Sequence, residues 1–504
     1  MLSLSISADY LLIPVKNGAP RRLLTLFPAS DREHKLYELE VPLAACAGEA
    51  DWVVPFPVKK HRGETLLLCG PVPDEALAAV AQGNERPPAA PDRPLLHYAP
   101  ENGWMNDPNG LVRLADGSLQ MCYQFHPFGL EWGPMHWGSA RSRDLLHWET
   151  GDIVLFPDEL GTVFSGGGFR DGKGDAGYGP GALLCYYTSA GGTDAPWSRD
   201  GVFTQRLAVS RDGGRTLEKR PGLLLPNLAE GNRDPKVFYH EESGAYVMAL
   251  YLSGNDFGVF RSPDLVHWEQ TQQLTLPELW ECPDLFRLTA EDGTEKWIFW
   301  AADGYYFAGS FDGFRFTPEQ PMRRAYANKV PYAAQTAANE AGRVLSVAWL
   351  RLPNAGRHYT GVMAVPAELA LARDAEGWAV RVRPCRELLG ALRPIGGSRA
   401  PASPWALRGT LPAGSGRAVF TFPGGRLTLD PATGTGELAG EGELPPAAFS
   451  LPKDAPADFL LTADCAVFEL YAANGAVYAA MENVSPVLAG DVRAEGGEAG
   501  LFSL

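Results

Sequence analysis

The order of apolar and polar positions along this chain is that of strands. Short runs such as Tyr10-Leu-Leu-Ile-Pro14, Leu23-Leu-Thr-Leu-Phe27, Trp52-Val-Val-Pro-Phe56 and Thr65-Leu-Leu-Leu-Cys69 are rich in aliphatic and aromatic residues and too brief for amphipathic helices. One short helix is predicted among them, over Asp74–Val80, with Asp74 as N-cap and Gly83 as stop. The stretch Asn84-Glu-Arg-Pro-Pro-Ala-Ala-Pro-Asp-Arg-Pro94 then allows no regular structure. Residues 1–90 therefore read as a small N-terminal β module that ends in a linker.

The middle of the chain repeats itself. Ser142-Arg-Asp-Leu-Leu-His-Trp-Glu149 returns as Ser262-Pro-Asp-Leu-Val-His-Trp-Glu269. Looser copies are Ser210-Arg-Asp-Gly-Gly-Arg-Thr-Leu217 and Ser310-Phe-Asp-Gly-Phe-Arg-Phe316. A Ser-x-Asp corner recurring every ~50 residues is the spacing of propeller blades. Four corners and a last blade near Ala333–Pro366 predict a five-bladed β-propeller over residues 91–370; a large β-sandwich with accidental similarity is the competing reading. Beyond 370 the repeat stops, but strand-like runs continue at Ala418–Phe422 and Ala466–Tyr471, and Asn474-Gly475 forms a hairpin signal. Residues 371–504 read as a C-terminal β-sandwich, and the fold class as all-β.

Composition agrees with this picture and narrows the partners. The 56 Gly and 42 Pro among 504 residues suit many short strands and turns. The 13 Trp exceed what such cores need, so some are expected on an open surface of the kind on which sugars stack. A formal charge of −16 argues against nucleic acid or an anionic membrane as partner. No apolar run reaches the length of a membrane span. The seven cysteines show no C-x-x-C pair and predict reduced thiols without a zinc site. The opening MLSLSISADYLLIPVKNG has neither a basic n-region nor an A-x-A site, so a cytoplasmic protein is expected, or a secreted one if a leader has been removed. Gly166-Gly-Gly168 follows no strand–helix pattern and predicts a close backbone approach, not a phosphate loop. His126, His136, His147 and His267 lack the spacing of metal ligands. No metal and no cofactor is predicted.

Three acidic motifs precede repeat corners at similar distances: Trp104-Met-Asn-Asp-Pro-Asn-Gly110, Arg233-Asp-Pro-Lys236 and Trp280-Glu-Cys-Pro-Asp284. Asp107, Asp234 and Glu281 are thus expected at equivalent places in three blades, at the start of the innermost strand, and so at one mouth of the channel. Two facing carboxylates serve glycoside hydrolysis, one as nucleophile or base and one as acid, while a third holds hydroxyls. Clustering also drives carboxyl pKa values apart.

His97-Tyr-Ala-Pro-Glu-Asn-Gly-Trp-Met-Asn-Asp-Pro-Asn-Gly110 resembles the signature of glycoside hydrolase family 32, the invertases, inulinases and levanases. Arg233-Asp-Pro and Glu281-Cys-Pro resemble its second and third catalytic motifs. Tyr123-Gln124, Trp132–Gly138, Phe164–Gly166 and Tyr332–Thr336 extend the likeness over roughly residues 95–370. The C-terminal Asp464–Gly475 stretch resembles the family's appended sandwich, and the opening module one that precedes some bacterial fructan hydrolases. The resemblance implies a propeller plus sandwich and a retaining β-fructofuranosidase. Asp107 would be the nucleophile, Glu281 the acid and then the base, and Asp234 the holder of fructose hydroxyls. Asn106, Gln124, Trp132, Ser165, Arg233 and Trp349 would line the fructose pocket, with Phe164 in its apolar wall and Cys282 tuning Glu281.

Three departures stand out: Ser139 where the family often has His, Pro366-Ala-Glu-Leu369 for Pro-Arg-Glu-Leu, and Tyr326-Ala-Asn-Lys-Val-Pro331 for an acidic segment. The last two are expected at the outer wall of the pocket, where the leaving group would lie. The expected partner is a small or oligosaccharide fructoside: sucrose, its phosphate, inulin or levan. Competing readings are a fructosyltransferase using the same intermediate, an inverting arabinan-cleaving relative, and a non-catalytic fructan-binding protein. The intact acids count against the last, and the Trp104–Gly110 run against the arabinan reading.

Overall fold

Between Gly103 and Pro384 the chain folds into five consecutive antiparallel sheets, each made from neighbouring stretches of sequence. This is a computed structural model, and it describes residues 1–193, 195–485 and 487–504. The innermost strands of the five sheets are β1 (Gly103–Arg113), β2 (Gly168–Asp171), β3 (Arg233–His240), β4 (Asp284–Thr289) and β5 (Pro331–Thr336). They gather about one axis and the sheets radiate outward as the blades of a five-bladed propeller.

The Gly166-Gly-Gly168 run explains how the inner strands come so close. A Cβ on Gly166 would stand 1.9 Å from the Tyr186 carbonyl oxygen, one on Gly167 3.1 Å from that of Pro235, and one on Gly168 2.9 Å from that of Gly110. Main chains of the first three blades meet here, and a side chain would part them.

The Ser-x-Asp corners join the third strand of a blade to its outermost one. In the first, the Asp144 carboxylate accepts the Leu146 and His147 amides at 3.0 and 2.8 Å and binds the His147 ring at 2.7 Å. Asp264 repeats these contacts with Val266 and His267. The residue after each Asp takes positive φ: Leu145 69°, Gly213 74°, Leu265 69°, Gly313 88°. Glycine meets that demand in two corners; in the others a leucine at most 1% exposed is held there by the core it plugs. His147 and His267 are therefore parts of turns.

Two backbone bonds between Arg113 and Ala338 and between Ala338 and Leu111, both 2.9 Å, help join the last blade to the first, and Tyr359–Thr360 adds a parallel pairing with Gly103–Trp104. The fifth sheet runs further than the repeat suggested. Ala367–Asp374 and Gly377–Pro384 are its outer strands, so a boundary at 370 cuts through one of them. This hairpin turns without a Ser-x-Asp corner, and only its buried Leu369, Leu371, Val380 and Val382 mark it as blade.

Residues 2–83 form two small sheets against the first blade. The helix spans Asp74–Ala78 with Pro73 as its cap residue; Asp74 instead meets the Met1 amine at 3.0 Å. Gly83 ends no helix. Ala81–Gly83 is a strand that pairs with Tyr10–Leu12. The C-terminal part is a sandwich of six- and five-stranded sheets around Trp405, Phe420, Leu427, Phe459 and Phe468. All seven cysteines are free thiols. Among the described residues no helix is long and apolar enough to cross a membrane.

Candidate active site

The inner strands are irregular where the chemistry-bearing residues fall. β1 slips register between Asn106 and Pro108, β3 between Arg233 and Lys236, and β5 between Tyr332 and Gln335. A bulge inserts one residue and re-aims the side chains around it. Asp234, Glu281, Cys282 and Ala333 also have positive φ, at 64°, 32°, 48° and 48°. Such backbone costs of order ~1–3 kcal/mol for each non-glycine residue and gathers where function over-rides stability. Asp107 lies fifth in β1, Asp234 second in β3, and Glu281 three residues ahead of β4. Bulge and strain turn all three carboxylates towards the axis.

They meet in a cavity of about 210 Å³. The three acids and the seven residues expected around fructose line it: Asp107, Asp234, Glu281, Asn106, Gln124, Trp132, Phe164, Ser165, Arg233 and Trp349; Cys282 does not. Tyr332 is the one lining residue that was quoted in a motif but not assigned to the site. Its one signal in the sequence was its place in the Tyr332–Thr336 motif, since a bulge in the fifth inner strand decides where it points.

Polar contacts fix the acids. Ser165 Oγ donates to Asp107 Oδ2 at 2.7 Å, and the Cys282 amide donates to Asp234 Oδ2 at 2.9 Å. Arg233 donates through Nη2 to Glu281 Oε2 at 2.7 Å, while its Nε stands 3.8 Å from Asp234. The guanidinium lies 4.4 Å from the centre of the Tyr251 ring, a cation–π contact that helps hold it in place. Tyr332 donates to Glu281 Oε1 and receives the Trp280 indole N–H at 2.8 Å.

Burial, then the Glu281 charge, pushes the Asp107 carboxyl up, against hydrogen bonds from Ser165 and Asn106. Asp234 is pushed up to about 7 by burial; the Arg233 charge pulls it down, and those of Glu281 and Asp107 push it up. Cys282 does not tune Glu281 by contact. Its thiol points at Asp234 (3.5 Å) and Asp107 (3.8 Å), because the left-handed turn at 281–282 sends the two side chains different ways. Burial raises this thiol, so it stays protonated and donates.

Aromatic rings form the walls. Trp132, 42% exposed at the mouth, meets Phe164 edge-on at 5.9 Å, and Phe164 meets Phe203 at 5.4 Å. Trp349 stands between Trp104 (5.9 Å) and Tyr332 (6.1 Å). Acid and amide groups below with ring faces above suit one polyhydroxylated ring. Of the three departures, Ser139 is buried against the Asp152 carbonyl and lies outside the pocket. The 366–369 segment is also remote, correcting its expected place in the outer wall: Ala367, which stands for the arginine, pairs with Ser346 in the fifth blade, and Glu368 pairs with Arg343, which lines the opposite mouth of the channel. The 326–331 segment does reach the site. The Lys329 carbonyl holds Arg351, whose guanidinium lies 4.0 Å from the centre of the Tyr332 ring. No histidine lines the cavity, and among the described residues no three His, Cys, Asp or Glu side chains group as a metal requires.

The profile described as "Glycosyl hydrolases family 32 N-terminal domain" matches residues 97–381, more than half of the chain. The chain belongs to glycosyl hydrolase family 32. It is 34% identical over 340 residues to a levanase of Bacillus subtilis, a match covering 59% of this chain and 47% of that protein. It is 33% identical over 288 residues to an invertase of Debaryomyces hansenii, covering 52% of each. The chain spans about half the length of these curated relatives. Among solved structures, an exo-inulinase of Aspergillus awamori superposes with a TM-score of 0.74 at 21% identity, over 83% of this chain and 99% of that one. A fructofuranosidase of Schwanniomyces occidentalis, in an E230A form complexed with fructosylnystose, gives 0.71 at 21% identity, again over 83% and 99%. The propeller and sandwich of this family 32 chain are thus the fold of those proteins.

Proposed function

We propose that this chain releases terminal fructose from β-fructofuranosides by retaining, double-displacement hydrolysis. The observation that carries the reading is the meeting of Asp107, Asp234 and Glu281 in one pocket sized for one sugar unit. An Asp107 oxygen attacks the anomeric carbon as the bond to the leaving oxygen breaks, and Glu281 gives that oxygen a proton. Glu281 then takes a proton from water, which displaces Asp107 and restores it. Asp234 and Arg233 hold the sugar hydroxyls, and Asn106, Gln124 and Ser165 complete the polar floor. Trp132, Phe164 and Trp349 pack the ring. The relatives' names, levanase and invertase, support both fructans and sucrose as substrates.

Asp107→Ala and Glu281→Ala are expected to stay folded while kcat/KM falls by roughly 10³-fold or more. The measurement is a panel of sucrose, sucrose phosphate, inulin and levan, with the anomeric configuration of the first product. Near-normal turnover in either variant sinks the assignment. Growing oligosaccharides at high sucrose, in place of free fructose, would turn it into a fructosyltransferase.

A further inference from the structure

A second, much smaller cavity adjoins the acids. It measures about 10 Å³, and its walls include Asp107, Asp234, Ser165, Cys282, Ala333 and Gln335. A buried water needs about 10–15 Å³ of such space and two to four polar partners. The room is that of a single molecule.

Gln335 supplies the unmet demand. Its Nε2 donates to the Gly166 carbonyl at 3.0 Å, which fixes the amide orientation and leaves Oε1 as an acceptor. That oxygen is buried and no protein donor reaches it. A bare buried acceptor is costly, and native interiors satisfy nearly all of them. The bulge between Tyr332 and Gln335, with Ala333 at φ 48°, sets both Ala333 and Gln335 in the cavity wall.

We propose that this cavity binds one structural water, which donates one hydrogen to Gln335 Oε1 and the other to the Asp107–Asp234 carboxylates. The glutamine oxygen can only accept, so the second O–H is aimed at the acids and the water has a fixed polarity. Both acids are pushed towards their protonated forms by burial. A sugar in the larger pocket removes solvent there, and this water keeps one donor on the carboxylates throughout. Glu281 is not among the walls, so this is not the water that completes hydrolysis. Gln335 is a positioning residue that acts through the water. The consequence for activity rests on the hydrolase reading; the site does not.

A high-resolution crystal structure of the full chain tests the site itself. One well-ordered water within hydrogen-bond distance of Gln335 Oε1 and of Asp107 or Asp234 is expected; a dry cavity with ordered walls overturns the proposal, whatever the substrate proves to be. Gln335→Met keeps the length and removes both the acceptor and the bond to the Gly166 carbonyl, a loss that by itself lowers stability and leaves the pH profile in place. The acid limb of its kcat/KM profile is expected to move up by about 0.5–1 pH unit, with the plateau within about twofold of the parent. A superimposable profile overturns the role of the water. A parent chain inactive on every fructoside would instead refute the hydrolase reading and leave the crystallographic test standing.

Discussion

The Tyr332 phenol donates to Oε1 of Glu281, and nothing else on the fifth inner strand touches an acid of the pocket so directly. The Trp280 indole feeds that phenol from behind, and Arg351 covers its ring. Tyr332→Phe keeps the ring between Arg351 and Trp349 and removes only the hydroxyl. We expect kcat to fall by about 10–100-fold with KM within about threefold, since the lost bond belongs to the residue we propose as the proton donor. A rise in KM at constant kcat would make Tyr332 a wall of the sugar pocket only.

Asp234 contributes to stability with a sign opposite to that of most carboxylates. Its folded pKa, about 7, is above the unfolded value of 3.8, so the folded state binds the proton more tightly. It costs no stability below about pH 4, and the penalty grows as pH rises from there through 7. Asp234→Asn removes a charge that burial opposes. The variant is expected to melt a few degrees higher than the parent near pH 8, by about 2–5 °C, and to match it near pH 4. Equal melting shifts at both pH values would show that the carboxylate is not held up by burial.

The N-terminal module grips the loop that carries Trp132. Trp52 Nε1 donates to the Pro127 carbonyl at 3.1 Å, while Thr360 holds the Leu130 carbonyl at 2.8 Å and His126 that of Glu131 at 3.0 Å. Trp405 in the sandwich makes the same kind of bond, to the Leu488 carbonyl at 3.2 Å, far from the pocket. Trp52→Phe and Trp405→Phe thus lose matched bonds. Both should lower the melting temperature slightly, and only Trp52→Phe should raise KM, by about 2–5-fold. Identical kinetics in the two variants would leave the module no part in the site.

How far the sequence could be read differed by kind of feature. Asp107, Asp234 and Glu281 were legible because their motifs sit at similar offsets before the corners, and the glycines at 166–168 because backbone contact excludes side chains. The positive φ of Asp234 and Glu281 was not legible, since neither residue type demands it; packing imposes it. Tyr332 stayed outside the predicted site because a bulge, not the strand's alternation, decides which way it points. The outer strands of the fifth blade escaped because Ala-rich segments carry little hydrophobic contrast and lack the corner. Contacts over great sequence distance were invisible, among them the one that Asp464 makes with residues 95–97.

That contact joins propeller to sandwich through a buried charge. The His97 ring is fully enclosed, with Nδ1 3.2 Å from Asp464 Oδ2 and Nε2 2.6 Å from Glu469 Oε2. Asp464 also accepts the backbone N–H groups of Leu95, Leu96 and His97, and Glu469 those of Val365 and the Tyr471 and Tyr478 hydroxyls. Burial opposes a charge on His97, but the Glu469 and Asp464 carboxylates outweigh it and raise the imidazole to about 9 from 6.5. A raised folded pKa means stability that is complete below about pH 6.5 and is lost as pH climbs through 9. His97→Gln leaves two buried carboxylates without their counter-charge, a loss of about 3–5 kcal/mol. The gap in melting temperature between parent and variant should be widest near pH 6 and shrink towards pH 10, as the parent sheds the same proton. A gap that stays constant across that range would mean that His97 is neutral and that hydrogen bonds alone hold the two domains at this point.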